Sequence, residues 1–204
     1  MKTGEERVGR YLYRWSEGCF PLGSTSLARG AFATVKNGAR VCDLGCGAGL
    51  LLLLAAQRAE GLELTGVELN PVAAELAAEN LDRNGLTGTI LTGDLRDRVL
   101  LPQSRNLILS NPPWYPTEQK GSAAAVESAT VAELCAAAAY ALPTGGRFAL
   151  AHQPTRLVDI LSALRTAHLE PKRLKFCFHS PEKPPYAVLV EAVKGGRPGL
   201  DVET

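Results

Sequence analysis

Long hydrophobic runs are missing from this sequence, although apolar residues make up 46% of its 204 residues. The longest apolar run covers residues 134–142 and is far too short for a transmembrane helix, which needs about 20 apolar residues. The amino-terminal stretch M-K-T-G-E-E-R is charged and has no apolar core of the kind that signal peptides carry. We therefore expect a cytoplasmic protein with enough residues for one domain and its hydrophobic core.

Disulfide and zinc-site spacings are also missing. The five cysteines are an odd number, and no two of them follow C-x-x-C spacing. A disulfide framework would use an even set of cysteines, and a structural zinc site would use closely spaced pairs. We expect reduced, mostly buried thiols and no bound metal.

A strong net charge is missing as well, since the sequence carries only +1 at pH 7. The charge is nevertheless unevenly distributed: residues 1–40 have seven Lys/Arg against three Glu, and residues 170–197 have six basic against three acidic side chains. The middle, residues 41–169, has nine basic against thirteen acidic side chains. This pattern is compatible with an ordinary solvated surface, or with a polyanion-binding track formed by both ends of the chain. The candidate contacts are Arg10, Arg14, Lys172, Arg173 and Lys175.

Short apolar runs alternate with helical patterns from residue 39 onward. The predicted helices cover residues 48–59, 71–84, 122–142 and 155–168. The predicted strands cover residues 39–44, 62–69, 87–94, 106–110, 146–152, 172–179 and 186–193. In the second helix, Asn70 is a suitable amino-terminal cap, Pro71 suits the first helical position, and Gly85 ends the helix.

This alternation predicts an α/β fold with a mostly parallel, seven-stranded sheet and helices on both faces. The last two strands, joined by a short proline-rich turn, are predicted to form an antiparallel hairpin at the edge of the sheet. Residues 39–197 would form this domain. Residues 1–38 would be a lead-in segment with a helix near 25–36, and residues 198–204 a tail.

A glycine-rich turn, D-L-G-C-G-A-G-L at residues 43–50, lies between the first strand of this domain and its helix. Gly45, Gly47 and Gly49 let the backbone turn tightly and approach a ligand closely. A dinucleotide site would need G-x-G-x-x-G, with glycine where Leu50 stands, and a P-loop would need Gly-Lys-Ser/Thr, which is absent. Alone, the turn is also compatible with a purely structural role.

Two acidic residues at the ends of later strands favour a ligand. Glu68 ends the second strand, 23 residues after Gly45, where a carboxylate can accept hydrogen bonds from ribose hydroxyl groups. Leu69 could lie against an adenine ring. Asp94, in T-G-D, could accept from the adenine amino group, or could simply be a turn residue. Together these residues predict a ligand that has a ribose but no pyrophosphate.

The stretch S-N-P-P-W-Y-P, residues 110–116, follows another short apolar strand. Proline has no N–H to donate to a β-ladder, so Pro112 and Pro113 should end the strand. Asn111 and Trp114 would then stand at the carboxyl end of a buried strand. On its own, the stretch is also compatible with a strand-ending turn and a packing tryptophan.

D-L-G-C-G-A-G, V-E-L-N, T-G-D and N-P-P-W, in this order and spacing, resemble the class I S-adenosylmethionine-dependent methyltransferases, and the likeness spans residues 39 to about 193. This resemblance implies a Rossmann-like fold and S-adenosylmethionine as the cofactor. The N-P-P-W variant implies transfer to a planar sp² nitrogen. H-Q-P-T-R-L-V-D-I-L, E-P-K-R-L-K-F and G-G-R-P-G-L resemble one branch, the bacterial adenine-N6 methyltransferases that act beside the anticodon of valine tRNA. The implied cofactor-binding residues are Asp43, Gly45, Gly47, Gly49, Glu68, Leu69 and Asp94.

The resemblance also implies a catalytic set of Asn111, Pro112 and Trp114. The Asn111 side-chain oxygen and the Pro112 carbonyl would accept hydrogen bonds from the exocyclic amino group of adenine, aimed beforehand by the rigid prolines. Trp114 would stack on the base, which would have to leave any stack to reach this pocket. Substrate binding would fall to Pro113 and Trp114 and, from the charge distribution, to Lys172, Arg173 and Lys175.

Two other functions fit the same motifs. A protein-glutamine N5-methyltransferase also acts on a planar NH₂ group, but such enzymes usually carry an amino-terminal helical domain, for which the short lead-in leaves little room. The second alternative is a non-catalytic module that holds the cofactor or RNA without turnover.

Overall fold

The computed structural model describes residues 3–16, 19, 31–112 and 129–203. Its helices are α1 (Leu50–Ala56), α2 (Pro71–Arg83), α3 (Val131–Ala141) and α4 (Leu157–Thr166). Its strands are β1 (Thr3–Val8), β2 (Tyr11–Ser16), β3 (Arg40–Leu44), β4 (Glu63–Glu68), β5 (Gly88–Thr92), β6 (Leu107–Ser110), β7 (Arg147–His152), β8 (Leu169–Cys177), β9 (Ala187–Lys194) and β10 (Asp201–Glu203). Short 3₁₀ turns cover Leu95–Asp97 and Pro154–Arg156.

An eight-stranded sheet in the order β10-β8-β9-β7-β6-β3-β4-β5 forms the centre of the fold. The strands from β7 to β5 along this order are mutually parallel, and β9 is antiparallel to both β7 and β8. The predicted α/β fold, with a mostly parallel sheet and antiparallel strands near the carboxyl terminus, is confirmed.

The prediction was wrong about the edge of the sheet. The β8–β9 hairpin is not at the edge, because β10 pairs in parallel with β8 and adds an eighth strand. Asp201 lies opposite Arg173 in this pairing, and the Glu203 carboxylate accepts a hydrogen bond from Arg173 Nε at 2.6 Å. Residues 201–203, which the sequence analysis left as a tail, are therefore part of the sheet.

The first strands of the chain form a hairpin that the sequence analysis did not predict. β1 and β2 pair antiparallel from Thr3 opposite Ser16 to Val8 opposite Tyr11. Two asparagines of α2 bind the backbone of β2: Asn80 Oδ1 accepts from Arg14 N at 3.0 Å, and Asn84 Oδ1 accepts from Leu12 N at 2.8 Å. Their amide groups donate in turn to the Arg14 and Leu12 carbonyls. The two asparagine side chains therefore bind the backbone groups of β2 that a neighbouring strand would otherwise bind. Of the helix expected near 25–36, residues 31 and 32 are helical, residues 33–36 are not, and residues 25–30 lie outside the described residues.

Alternate residues of each central strand pack on opposite faces of the sheet. Ile108 and Phe148 join the core beneath α3 and α4, whereas Leu107 and Leu109 join the core with α1. All five cysteines are free thiols, and four of them are buried, as predicted. None of the described helices is long and apolar enough to cross a membrane. Within the described ranges, no cluster of His, Cys, Asp and Glu side chains could hold a metal ion.

The buried carboxylate of Glu191, in β9, connects its strand to four other segments of the chain. Glu191 of β9 is fully buried, and its oxygens accept hydrogen bonds from Arg147 at 2.7 Å and from the Thr34 backbone N–H at 2.6 Å. Arg173 lies 3.4 Å from the same carboxylate and also donates to the Phe32 carbonyl and to Glu203. The Glu191 network therefore joins residues 32–34, β7, β8, β9 and β10.

Candidate active site

Strand register brings the predicted site residues to one edge of the sheet. Leu44, the last residue of β3, is paired with Val67 on one side and with Ser110 on the other. The residues that follow these three, Gly45, Glu68 and Asn111, consequently emerge side by side at the carboxyl edge. This is the edge at which open α/β sheets bind their ligands.

The glycine-rich turn folds back over the end of β4. The Gly45 and Cys46 N–H groups both donate to the Val67 carbonyl, at 2.8 and 3.1 Å. Gly45, Gly47 and Gly49 all have positive φ, at 73°, 51° and 82°, a conformation that side chains rarely tolerate. A Cβ atom at Gly45 or Gly47 would meet no other atom of the described residues within 4 Å. The positive φ, and not a lack of room, is what requires glycine at these two positions. The described residues leave open space above the turn.

Glu68 is fixed by the turn it faces. One carboxylate oxygen accepts a hydrogen bond from Gly47 N–H at 2.7 Å, and the other accepts from Asn70 N–H at 2.9 Å. Each carboxylate oxygen has a second acceptor site, so Glu68 can still bind two hydroxyl groups. Glu68 ends β4, as the sequence predicted, and its carboxylate faces the glycine-rich turn.

Asp43, directly before the turn, is a buried carboxylate with an unpartnered oxygen. The side chain is 1% exposed, and within the described residues Oδ1 has no hydrogen-bond partner. Burial raises the pKa of Asp43 well above its usual range, and the negative charge of Glu68 raises it further. A cationic or N–H donor ligand would satisfy Oδ1 and offset this cost.

Helix α2 begins at the same edge and is anchored as predicted. The Asn70 side chain accepts from Val72 N–H and Ala73 N–H, and Pro71 occupies the first turn. Leu69, one residue before this cap, is 41% exposed and so offers a free apolar side chain next to Glu68.

Asn80, farther along α2, was not identified from the sequence. Its amide donates to the Ala48 carbonyl at 2.9 Å, while the same side chain binds Arg14 of the hairpin. It therefore links the hairpin to the glycine-rich turn. The only sequence signal for it was an asparagine on the core-facing side of a helix.

The Asp94 carboxylate is hydrogen-bonded within its own turn. Its carboxylate accepts hydrogen bonds from the Arg96 backbone and guanidinium, with the shortest contact 2.6 Å. These hydrogen bonds hold the pKa of Asp94 below its usual range. An adenine amino group could bind this carboxylate only by sharing it with Arg96 or displacing Arg96.

Asn111 stands where β6 ends. Ser110 is fixed just before it, because its hydroxyl donates to the Leu44 carbonyl at 2.7 Å. Asn111 Oδ1 is buried and has no hydrogen-bond partner within the described residues. A buried acceptor without a donor costs free energy unless a ligand supplies one. Pro112 is described, whereas Pro113 and Trp114 lie outside the described residues.

The basic candidates differ in their surroundings, and four of them have partners within the fold. Arg10 donates to the Ala56 carbonyl at 2.8 Å, and Arg14 lies 3.7 Å from Glu79. Lys172 donates to the Arg197 carbonyl at 3.1 Å, and Arg173 belongs to the Glu191 network. Lys175 is two residues from the carboxyl end of β8 and is nearest to the edge that carries the site.

Solved methyltransferases have the same fold. A predicted O-methyltransferase from Agrobacterium tumefaciens superposes with a TM-score of 0.73 at 21% identity, covering 87% of this chain and 84% of that one. A geranyl diphosphate methyltransferase in complex with S-adenosylmethionine superposes with a TM-score of 0.63 at 15% identity, covering 84% of each chain. At these identities the likeness concerns the fold.

Curated relatives are named tRNA1(Val) (adenine(37)-N6)-methyltransferase. The protein from a Flavobacteriaceae bacterium is 29% identical over 85% of this chain and 83% of its own length. Those from Porphyromonas gingivalis and Haemophilus influenzae are 32% and 36% identical over 73% and 46% of this chain, and the matches span 63% and 42% of their own lengths.

The sequence also matches the methyltransferase small domain family over residues 15–168, which is more than half of the chain. The match includes the glycine-rich turn, Glu68, Asp94 and the N-P-P-W stretch. The predicted enzyme class and the predicted cofactor are confirmed. The chain therefore belongs to the methyltransferase small domain family and is an S-adenosylmethionine-dependent methyltransferase.

Proposed function

We propose that this enzyme methylates the exocyclic N6 amino group of an adenine in tRNA, in the cytoplasm. The observation that carries the proposal is the buried Oδ1 of Asn111 at the carboxyl end of β6, for which the described residues supply no hydrogen-bond donor. The tRNA acceptor is supported by the three curated relatives described above, which are named for adenine-N6 methylation of a valine tRNA.

The acceptor side of the reaction uses Asn111 and Pro112. The adenine amino group is a poor nucleophile because its lone pair is delocalised into the ring, and it has two N–H donors. Asn111 Oδ1 and the Pro112 carbonyl accept one hydrogen bond each, which increases the electron density on nitrogen and directs its lone pair at the methyl group. Trp114 stacks on the flipped base, and Pro113 restricts the backbone between them. No strong general base is needed, because the amine becomes acidic only as it is methylated.

The residues of the carboxyl edge fit the cofactor. The open space above Gly45 and Gly47 accommodates a ligand against the backbone, and Gly49 shapes the start of α1. Glu68 holds the ribose hydroxyl groups, Leu69 lies against the adenine ring, and Asp94 approaches its amino group. The unpartnered Oδ1 of Asp43 suits the ammonium group of the methionine part. S-Adenosylmethionine supplies an activated methyl group, and the residues of this edge align the acceptor nitrogen with it.

Glu68→Ala is expected to weaken S-adenosylmethionine binding about ten-fold or more. The substitution leaves the ribose hydroxyl groups and Gly47 N–H without an acceptor, which costs roughly 1–3 kcal/mol. Glu68→Gln keeps one acceptor oxygen and should lose less affinity. Glu63→Ala, an exposed residue at the other end of β4, is the matched control and should bind normally. Isothermal titration calorimetry measures all four proteins, and unchanged affinity in Glu68→Ala would contradict the ribose assignment.

Lys175 and Lys183 are the basic residues that we assign to phosphate contacts, because both belong to the segment around the carboxyl end of β8. Lys172 is a further candidate, whereas the hydrogen bonds of Arg173 favour a structural role. Replacing Lys175 and Lys183 together with alanine should flatten the dependence of log affinity on log salt by about 1.4, at about 0.7 per contact on single strands. Lys36→Ala, exposed at the opposite edge, should bind RNA like the wild type. An unchanged salt slope in the double variant would remove these lysines from the RNA site.

The acceptor class is tested by incubating the enzyme and methyl-labelled S-adenosylmethionine with separate tRNA, rRNA, DNA and protein fractions. The proposal predicts label in tRNA. Label confined to protein would instead support a glutamine N5-methyltransferase. No transfer to any fraction, with intact cofactor binding, would support a non-catalytic module.

A further inference from the structure

The turn between β8 and β9 reaches the same edge of the sheet as the active site. Because β9 is antiparallel to β7 and β8 is antiparallel to β9, β8 ends at the edge where β6 and β7 end. The last pair of the hairpin joins Cys177 to Ala187, so residues 178–186 extend beyond that edge. β9 is separated from β6 only by β7, which places the start of β9 two strand spacings, about 10 Å, from the end of β6.

The turn carries three aromatic side chains, Phe178, His179 and Tyr186, which we together call the aromatic surface. The His179 and Tyr186 rings are stacked, with centroids 4.1 Å apart and planes 20° from parallel. Tyr186 packs on a buried cluster that includes Phe32 and Leu189, and its N–H donates to the Cys177 carbonyl at 2.9 Å. His179 is exposed, so one face of its ring is held by Tyr186 and the other is available to a ligand.

Phe178 extends the aromatic surface. It is 51% exposed, and it packs at a tilt against Phe176 with ring centroids 6.5 Å apart. The rings of the surface are thus supported from within the fold before any ligand binds. Supported rings lose little side-chain freedom when a planar ligand stacks on them.

The surroundings of the aromatic surface match a polyanion that carries planar groups. Lys175 precedes the turn and Lys183 lies within it, while Glu182 is the one acidic side chain of residues 175–186. Exposed aromatic rings between basic side chains are how proteins bind unpaired nucleotides, by stacking on bases and neutralising phosphates. An aliphatic protein partner would leave these charges without a complement.

We propose that the aromatic surface stacks an unpaired base next to the target adenine of the RNA. The inference rests on the proposed function, since it requires that the methyl acceptor is an RNA. Removing the target base from its stack costs a few kcal/mol, because its neighbours lose a stacking partner. Phe178 and His179 follow β8, three strand spacings or about 14 Å from the end of β6, and they would replace that partner for the neighbouring nucleotide.

The test uses the anticodon stem-loop of valine tRNA, intact or with an abasic residue at either neighbour of the target adenine. His179→Ala and Phe178→Ala should each weaken binding of the intact stem-loop about ten-fold, because each removes one stacking contact. His179→Phe, which keeps an aromatic ring, should bind as tightly as the wild type. Leu101→Ala, which removes a side chain 76% exposed at the opposite edge, is the matched control and should change nothing.

The abasic stem-loops separate stacking from a structural role. With the stacked neighbour removed, the wild type should bind about ten-fold more weakly, and His179→Ala should lose no further affinity. Cofactor affinity should be the same in all variants, which shows that the fold is intact.

The inference would be overturned if His179→Ala, Phe178→Ala and the wild type bound the intact stem-loop equally tightly. It would also be overturned if the variants lost the same binding affinity for intact and for abasic RNA. Both results would leave the proposed function standing if the wild type still methylates the RNA. If the wild-type enzyme methylates only protein, the proposed function itself is overturned. If Phe178→Ala also lowers the affinity for that protein, the aromatic surface is a protein-docking site.

Discussion

Asn111→Ala is expected to lower the rate of methyl transfer by roughly 10²- to 10³-fold, the range found when one preorganised hydrogen-bonding group is removed from an active site. The physical reason is the position of Asn111 Oδ1, which is buried, receives no hydrogen bond from the described part of the chain and would accept one from the reacting amino group. Cofactor affinity should be nearly unchanged, because we assign that binding to Asp43, Glu68 and the glycine-rich turn. Single-turnover kinetics with labelled cofactor give the rate, and calorimetry gives the affinity.

Asn111→Asp is the informative companion variant. It keeps an oxygen acceptor at the same distance from the backbone, so it should retain more activity than Asn111→Ala. Near-normal turnover in Asn111→Ala would mean that S-N-P-P-W is a strand-ending turn and that the acceptor mechanism is wrong.

Glu191→Ala is expected to lower the free energy of unfolding by about 3 kcal/mol. Removing one partner of a buried ion pair costs about 3–5 kcal/mol. The lower end applies because Arg147 and Arg173, with side chains 32% and 28% exposed, can regain some hydration. The substitution also leaves the Thr34 N–H and hydroxyl without their acceptor. Urea denaturation of the variant and the wild type measures the difference.

Glu203→Ala is the matched control for the Glu191 network. It removes the other carboxylate that binds Arg173, but at a more exposed position on β10, where an ion pair contributes about 0–1 kcal/mol. A loss below about 1 kcal/mol in Glu191→Ala would contradict the structural role of the network. In that case Arg173 would be available as an RNA contact.

The central strands and helices could be predicted because their signals are local. Apolar runs separated by helical patterns gave β3 to β9, α1, α2 and α4 to within a few residues, and Asn70 and Pro71 marked the start of α2. The helix expected over 122–142 was wrong at residues 129 and 130, because Thr130 caps α3 and the helix begins at Val131, and residues 122–128 lie outside the described residues. The hairpin could not be predicted in this way, because Asn80 and Asn84 hold β2 from a helix far along the chain. β10 is only three residues long, and its pairing with β8 leaves no periodic signal in the sequence.

The candidate site likewise has residues whose placement follows from the sequence and residues whose placement does not. Gly45, Glu68 and Asn111 follow buried strands directly, so their meeting at one edge follows from a parallel sheet. The basic residues depended on charge counts, and counts do not say which partner a side chain binds. Arg173 is held by Glu191, Glu203 and the Phe32 carbonyl, which only the folded arrangement of three distant segments reveals.

The most direct measurement is the chemical identity and position of the transferred methyl group. Unmodified valine tRNA is incubated with the enzyme and S-adenosylmethionine bearing a deuterated methyl group, then cut into fragments, digested to nucleosides and analysed by mass spectrometry. The account predicts labelled N6-methyladenosine, released from the anticodon-loop fragment that contains adenine 37, the position named for the relatives. Label on a ring nitrogen, on another base, or on glutamine in a protein fraction would contradict it.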